Sequence, residues 1–306
     1  MADRHHYVAQ FHLRAFADPT SAGSASPWLW VGDCKSGTVK RRSPKNFAWV
    51  RGLYEGPGGL SDRDSTLESF LSTEVEGPAA IALRGIPENA TGATSAISSD
   101  LWRYIAWAAA RSLPMKALFQ SWIDCFPPER NARLVELPPP GLAEARSIGR
   151  NHRMAHATHG VRDDVPSEQV EALLGQGWRL QIGTDDFLEL VHLQAWYFQV
   201  RHFPRLRWIL LAAPADSHFI IGDRPVVCGF SGRSDVAPSA LRNALVQLAA
   251  PLSSSRALFA HHATSRQPEV IMPNDINRIV ASAAHDWIAG PTEAVVRKSL
   301  LERSYS

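Results

Sequence analysis

The segment H-H-Y-V-A-Q-F-H-L-R-A-F, residues 5–16, threads three histidines, a glutamine and an arginine between aromatic and aliphatic residues and contains no acid. Read as a helix, it sets His6, Gln10 and Arg14 along one side at i, i+4 and i+8, turns Tyr7 and Phe11 to another, and keeps Leu13 close to the polar row. Imidazole, amide and guanidinium can all donate hydrogen bonds, so such a row suits an anionic ligand or a carboxylate. It suits equally well a helix tied to neighbouring backbone. His5 and His12 fall off the row and are expected in solvent.

Acids that could answer this row lie far away in the chain. Leu67, Phe70, Leu71 and Val75 make an apolar stripe with Glu74 in its middle, Glu68 to one side and Glu76 well away from it. Tyr104, Trp107 and Arg111 share a side of a nearly all-apolar segment, where an unpaired guanidinium is very costly, so Glu74 is the expected partner of Arg111. A buried structural ion pair and an active site explain these two residues equally well. F-I-I-G-D-R-P-V reads as a strand ending just before Asp223, with Pro225 forcing a turn, a place for a catalytic or metal-binding carboxylate and also for a turn cap. Asn277 falls within the first turns of a helix that Asn274 or Asp275 caps.

Brought together, these residues would make a phosphodiesterase or nuclease-like hydrolase. His6 would act as general acid or base, Glu74 and Asp223 would bind a divalent metal ion or orient water, and Arg111 with Gln10 would steady anionic oxygen. The alternative is a non-enzymatic binding or regulatory protein in which the same side chains form a structural network. An open pocket favours the first reading and a closed, mutually satisfied network the second.

Two further clusters bear on ligands. Lys35, Lys40, Arg41, Arg42, Lys45 and Arg51 lie in an acid-free run interleaved with Phe47 and Trp49. Cations beside aromatic faces can hold phosphates and stack on bases, so Lys40, Arg41, Arg42, Lys45 and Trp49 are candidate nucleic-acid contacts; a solvated basic hairpin gives the same pattern. His152, His156 and His159 would share one helical face and form a candidate zinc or nickel site, with no nearby carboxylate or cysteine in support. The chain has no G-x-G-x-x-G after a strand, no Walker loop and no H-E-x-x-H, and G-F-S-G-R at 229–233 misses the nucleophile-elbow spacing by one residue.

Elements must carry these groups, and the composition sets their class. With 306 residues, 45% of them hydrophobic, and ten tryptophans, the chain can bury a substantial core. A formal charge of +2 argues for neither nucleic acid nor a membrane by itself. Cys34, Cys125 and Cys228 are too few and too scattered for a disulfide framework. No apolar run reaches membrane-spanning length and the opening residues carry no signal-like core, so the expectation is a cytoplasmic protein without membrane contact.

The fold expected is α+β: a helical N-terminal half packed with a mainly antiparallel C-terminal sheet, as one integrated domain over 1–306. WLWV and G-T-V-K suggest a hairpin around D-C-K-S-G, and a helix is expected from Ser61 and Asp62 to about Leu83. An apolar helix starting near Ser98 or Ser99 should be central. Residues 138–177 form a candidate helical insert, and WRLQI, RWILLAA, HFIIG, VVCGF, LVQLAA and ALFAH read as strands around a helix from Thr184 to about His202.

H-Y-V-A-Q-F-H-L-R-A-F, G-L-Y, E-S-F-L-S-T-E, I-A-W-A-A-A-R-S-L-P, F-I-I-G-D-R-P-V, A-P-L-S-S-S and I-N-R-I-V occur in an order that resembles the bacterial family catalogued as domain of unknown function 4238. The resemblance covers nearly the whole chain. His6, Tyr7, Gln10, Leu13 and Phe16 correspond to its opening motif, with Ala9 where that motif has proline. The resemblance implies one integrated domain and points to Glu68, Glu74, Arg111, Asp223, Pro225 and Asn277; it implies no particular reaction.

Overall fold

The computed structural model describes residues 4–51, 53, 71–87, 90–93, 97–112, 195, 203–230, 245–262 and 271–303. The hairpin expected around D-C-K-S-G is present as β2 (Leu29–Asp33) and β3 (Val39–Arg42), paired antiparallel. The backbone amides of Lys35 and Ser36 in its turn donate to the Asp33 carboxylate, at 2.9 and 2.7 Å. Three antiparallel sheets form among the described residues. One has two strands, β1 (Arg4–His6) and β4 (Trp49–Arg51). The second has the order β5 (Gly92–Ala93), β6 (Leu206–Ala212), β10 (Arg256–His262), β9 (Leu245–Ser253), β8 (Val227–Phe230). The third runs β3, β2, β11 (Trp287–Gly290), β7 (Ile221–Gly222).

This arrangement corrects the expected division into a helical first half and a strand-bearing second half. Strands are spread through the chain and helices lie at both ends: α1 (Gln10–Arg14), α2 (Gly77–Gly85), α3 (Ser99–Ala110), α4 (Pro273–Ala283) and α5 (Glu293–Arg303). Strand pairing over long sequence separation produces the mixing. β2 and β3 from the first fifty residues complete a sheet with β11 and β7, and β5 adds to the edge of β6. Strands of two or three residues such as β1, β4 and β5 are too short to show an alternating pattern, so periodicity does not reveal them.

α3 begins where expected. The Ser98 hydroxyl accepts the Leu101 amide at 3.3 Å, and the helix is buried on nearly every side, from Leu101 through Tyr104, Ile105, Ala106, Trp107, Ala108, Ala109 and Ala110. Against its partly exposed Trp102 pack Trp208, at 4.1 Å between ring centroids, and Phe203. α4 buries Ile276, Val280 and Ala281, and its N-terminus is closed by the Asp275 carboxylate accepting the Met272 amide at 2.9 Å. Among the described residues, no helix is long and apolar enough to cross a membrane.

α5 lies against the four-stranded sheet over Gly32. A Cβ at that position would fall 2.7 Å from Val296 Cγ1 and 2.8 Å from Leu300 Cδ1, so a side chain there must push helix and sheet apart. Gly32→Val is expected to lower unfolding stability by about 1–3 kcal/mol, whereas Ile81→Ala, at a side chain 66% exposed, should stay within about 0.5 kcal/mol. Urea titration checks both, read as a midpoint change at constant slope.

Candidate functional site

The opening segment is a strand followed by a short helix, and this breaks the predicted polar row. His6 ends β1 opposite Trp49, the Tyr7 amide donates to the Ala48 carbonyl at 3.1 Å, and only Gln10–Arg14 is helical. Ala48 holds a left-handed conformation, φ 59°, unusual for a residue with a Cβ. Gln10 and Arg14 keep their i, i+4 relation, with Arg14 Nη2 donating to Gln10 Oε1 at 3.3 Å on the surface. His6 and Tyr7 serve different surroundings. Burial lowers the His6 pKa, the Glu76 charge opposes that shift and the Arg111 charge adds to it. Tyr7 accepts Trp287 Nε1–H at 2.8 Å, and its pKa is pushed up to about 12 by burial, with Asp223 and Asp286 adding to the rise.

His5 and His12, expected in solvent, are both buried. His12 is in fact central to a buried polar chain. Its Nε2 lies 2.7 Å from the Pro251 carbonyl, which can only accept, so Nε2 carries the proton. Burial lowers its pKa to about 4, so the ring is neutral near pH 7 and Nδ1 is an acceptor. The Tyr104 hydroxyl, 2.9 Å away, therefore donates to Nδ1, and its oxygen accepts from Arg111. Arg111 is buried as expected, its side chain 2% exposed, but its carboxylate is Glu76, with Nη2 2.7 Å from Oε1.

Glu74, the expected partner, is exposed. The cause is local: Leu71–Glu76 is a π-helical turn, whose i→i+5 spacing rotates the following residues away from a 3.6-residue count and brings Glu76 to Arg111. The signal for it was the G-P pair that follows. Pro78 has no N–H to give the Glu74 carbonyl, which accepts Arg103 Nη1 at 3.3 Å. Gly77 permits the close turn, since a Cβ there would lie 2.9 Å from the Ser72 carbonyl oxygen.

Asp223 belongs to a second cluster. It is buried at the end of β7, as the sequence predicted, and accepts the His285 amide at both oxygens, 3.0 Å each, and the Asp286 amide at 2.5 Å. Burial raises its pKa and these backbone donors oppose the rise. It thus joins β7 to the turn entering β11, with Pro225 buried in the bend that follows. Asp286 Oδ1 accepts Lys35 Nζ at 2.8 Å and lies 2.9 Å from His285 Nδ1; the Lys35 bond is the main cause of a lowered Asp286 pKa. One ligand-type atom each from Asp223, His285 and Asp286 lie within 4.8 Å of one another. His285 and Asp286 escaped sequence reasoning because their neighbours come from β7 and from the β2–β3 turn. Asn277 is structural: Oδ1 accepts the Ile220 amide at 3.0 Å and Nδ2 donates to the His218 carbonyl at 2.8 Å.

The basic segment lies at a sheet edge. β3 is the outer strand, and Lys40, Arg41, Arg42 and Lys45 are exposed. The Arg41 guanidinium sits 4.2 Å from the Trp28 ring centroid and 4.8 Å from that of Trp30. Trp30 is held by Nε1 donating to Asp18 at 3.2 Å. Trp49 is half-buried beneath Arg4, at 4.4 Å. Burial pushes the thiols of Cys34 and Cys228 up to about 11 and about 12, so neither is a ready nucleophile near neutral pH.

The family model described as "Protein of unknown function (DUF4238)" matches residues 4–294. The chain belongs to this family. No curated protein and no solved structure matches it. The matched span runs from β1 to the start of α5 and includes both polar clusters. Of the residues singled out from sequence, Arg111 pairs with Glu76, whose charge also acts on His6, whereas Asp223 has its contacts with His285 and Asp286. Glu68, Cys125, the candidate insert 138–177 and His152, His156 and His159 lie outside the described residues.

Two outcomes follow from the His12 chain. As pH falls through 6.5 the unfolded state takes up a proton that folded His12 resists until about pH 4. Stability should therefore drop across that window by about 3 kcal/mol from this group alone. His12→Gln, which keeps a donor and an acceptor, should flatten the slope in denaturant titrations between those pH values. Arg111→Ala should lower stability by about 3 kcal/mol, while Glu74→Gln should change it by less than about 0.5 kcal/mol.

Proposed function

We propose that the chain binds a phosphate-bearing polymer along the β3 edge, and that single-stranded nucleic acid is the class of ligand it takes. The observation that carries this reading is Arg41, whose guanidinium rests against the edge-to-face Trp28 and Trp30 pair on the strand that is outermost among the described residues, flanked by exposed Lys40 and Arg42. A stacked guanidinium presents a flat cationic face that accepts a base, while the neighbouring ammonium and guanidinium groups track phosphates. Charged side chains also protect an outer strand against pairing with another chain. Seating Arg41 against indole rings goes beyond that need, since repulsion asks for charge and not for aromatic supports.

The residues first read as one catalytic centre support this binding role through structure. The His12, Tyr104, Arg111 and Glu76 side chains are linked to one another and to the Pro251 carbonyl, and Asp223 and Asn277 accept from or donate to backbone groups. One observation favours the hydrolase as a second reading. His6 is only partly buried, with its pKa lowered, and it feels the charges of Glu76 and Arg111. An imidazole within the fields of a carboxylate and a guanidinium belongs to a set that can move a proton next to an anionic oxygen.

The test is fluorescence anisotropy with a labelled oligothymidylate, read at several salt concentrations. Binding should weaken steeply with salt, and the Lys40→Ala, Arg41→Ala, Arg42→Ala triple variant should bind far more weakly at low salt, with the log–log slope flatter by about 2. Arg278→Ala, at an exposed arginine on α4, should leave it unchanged. Equal binding by wild type and triple variant, or none by either, overturns the reading. Cleavage of the same oligonucleotide with magnesium, manganese or zinc, lost in a folded His6→Ala variant, would establish the second reading.

A further inference from the structure

Asp223 is 1% exposed and, among the described residues, makes no ion pair. Burial and the neighbouring Asp286 charge act against its ionised form, and the backbone N–H groups of His285 and Asp286, with a smaller contribution from the Arg224 charge, act for it. A desolvated carboxylate in this state gains from a cation placed beside it. One cation is already drawn to the cluster: Lys35, on the β2–β3 turn, extends an ammonium to Asp286, although its side chain is 68% exposed. Its position is fixed by backbone, since the Cys34 amide donates to the Asp286 carbonyl at 2.9 Å. Arg303 clamps the two segments together, donating to the Cys34 and Ala284 carbonyls at 3.1 Å each. The His285 side chain is 64% exposed and so can be reached from solvent.

We propose that Asp223, His285 and Asp286 form a site for a divalent transition-metal ion, with Lys35 as a built-in competitor that leaves Asp286 when the ion enters. Two carboxylates and an imidazole whose ligand atoms lie within 4.8 Å of one another match zinc or manganese better than magnesium or calcium, which take oxygen donors. Entry of the ion exchanges one cation for another at Asp286 Oδ1. The imidazole binds in its neutral form, with the proton on the ring nitrogen that does not face the metal. The site stands independently of the nucleic-acid reading, because no residue of the β3 edge supplies a ligand.

The experiment is competition between the full chain and a chromophoric chelator for zinc, near neutral pH. Wild type should bind one equivalent. His285→Ala should weaken that equivalent by at least about tenfold, without a change in melting temperature in the absence of zinc, since the ring is exposed. Lys35→Met should tighten it by about fivefold, because a competing unit charge is removed. A histidine bound to zinc by chance on the surface would not respond to Lys35 in this direction. No zinc taken up by wild type, an affinity untouched by His285→Ala, or weaker binding in Lys35→Met each overturns the proposal. Loss in a His152→Ala, His156→Ala double variant with His285→Ala unaffected would overturn it in favour of those histidines.

Discussion

A guanidinium with almost no solvent contact constrains the packing around it. Taking Arg111 out of water is tolerable only if its charge and its N–H groups find partners, and the partners in turn must be satisfied. Glu76 supplies the charge, Tyr104 accepts a hydrogen bond and passes one to His12, and His12 ends the chain on the Pro251 carbonyl. The π turn, α3, α1 and β9 are thereby joined through side chains. Ser254 adds a backbone bond from its amide to the Ala15 carbonyl at 3.0 Å, so α1 is held to the five-stranded sheet at two points.

The end of β9 is shaped to receive this chain. Pro251 cannot donate to the ladder, and the pairing with β10 slips there: Ala257 faces Pro251 while Arg256 faces Ser253, leaving Leu252 without an opposite residue. The four-stranded sheet has a comparable junction at its far end. Gly222, Ile288, Gly32 and Val39 lie side by side across β7, β11, β2 and β3. Asp223 follows immediately, and Lys35 reaches Asp286 from the β2–β3 turn. One edge of this sheet thus carries the exposed cations, and one end carries the acid and imidazole cluster.

Sequence disclosed the features whose signals are local. The β2–β3 hairpin, the start of α3 at its serine cap, the burial of Arg111 and the strand ending before Asp223 each rest on a few consecutive residues. What it missed depended on distant pairing or on helix phase. A long opening helix puts His12 in solvent, yet α1 has five residues and is covered by Tyr104 and Pro251. A 3.6-residue count places Glu76 off the apolar stripe, and a π turn defeats that count. The Asp223, His285 and Asp286 cluster comes together only when β11 pairs with both β2 and β7.

The π turn also bears on how chain length and chemistry are linked. An i→i+5 loop holds one residue more than the α-helical turn it replaces. Shortening the segment between Leu71 and Gly77 by one residue would leave a continuous helix with its faces turned by about a quarter of a revolution. Every side chain on one flank of the deletion would then address a different neighbour from before. In this stretch a length change is therefore a change of identity at the ion pair, and related chains should be aligned there by which carboxylate meets the arginine before they are aligned by residue type.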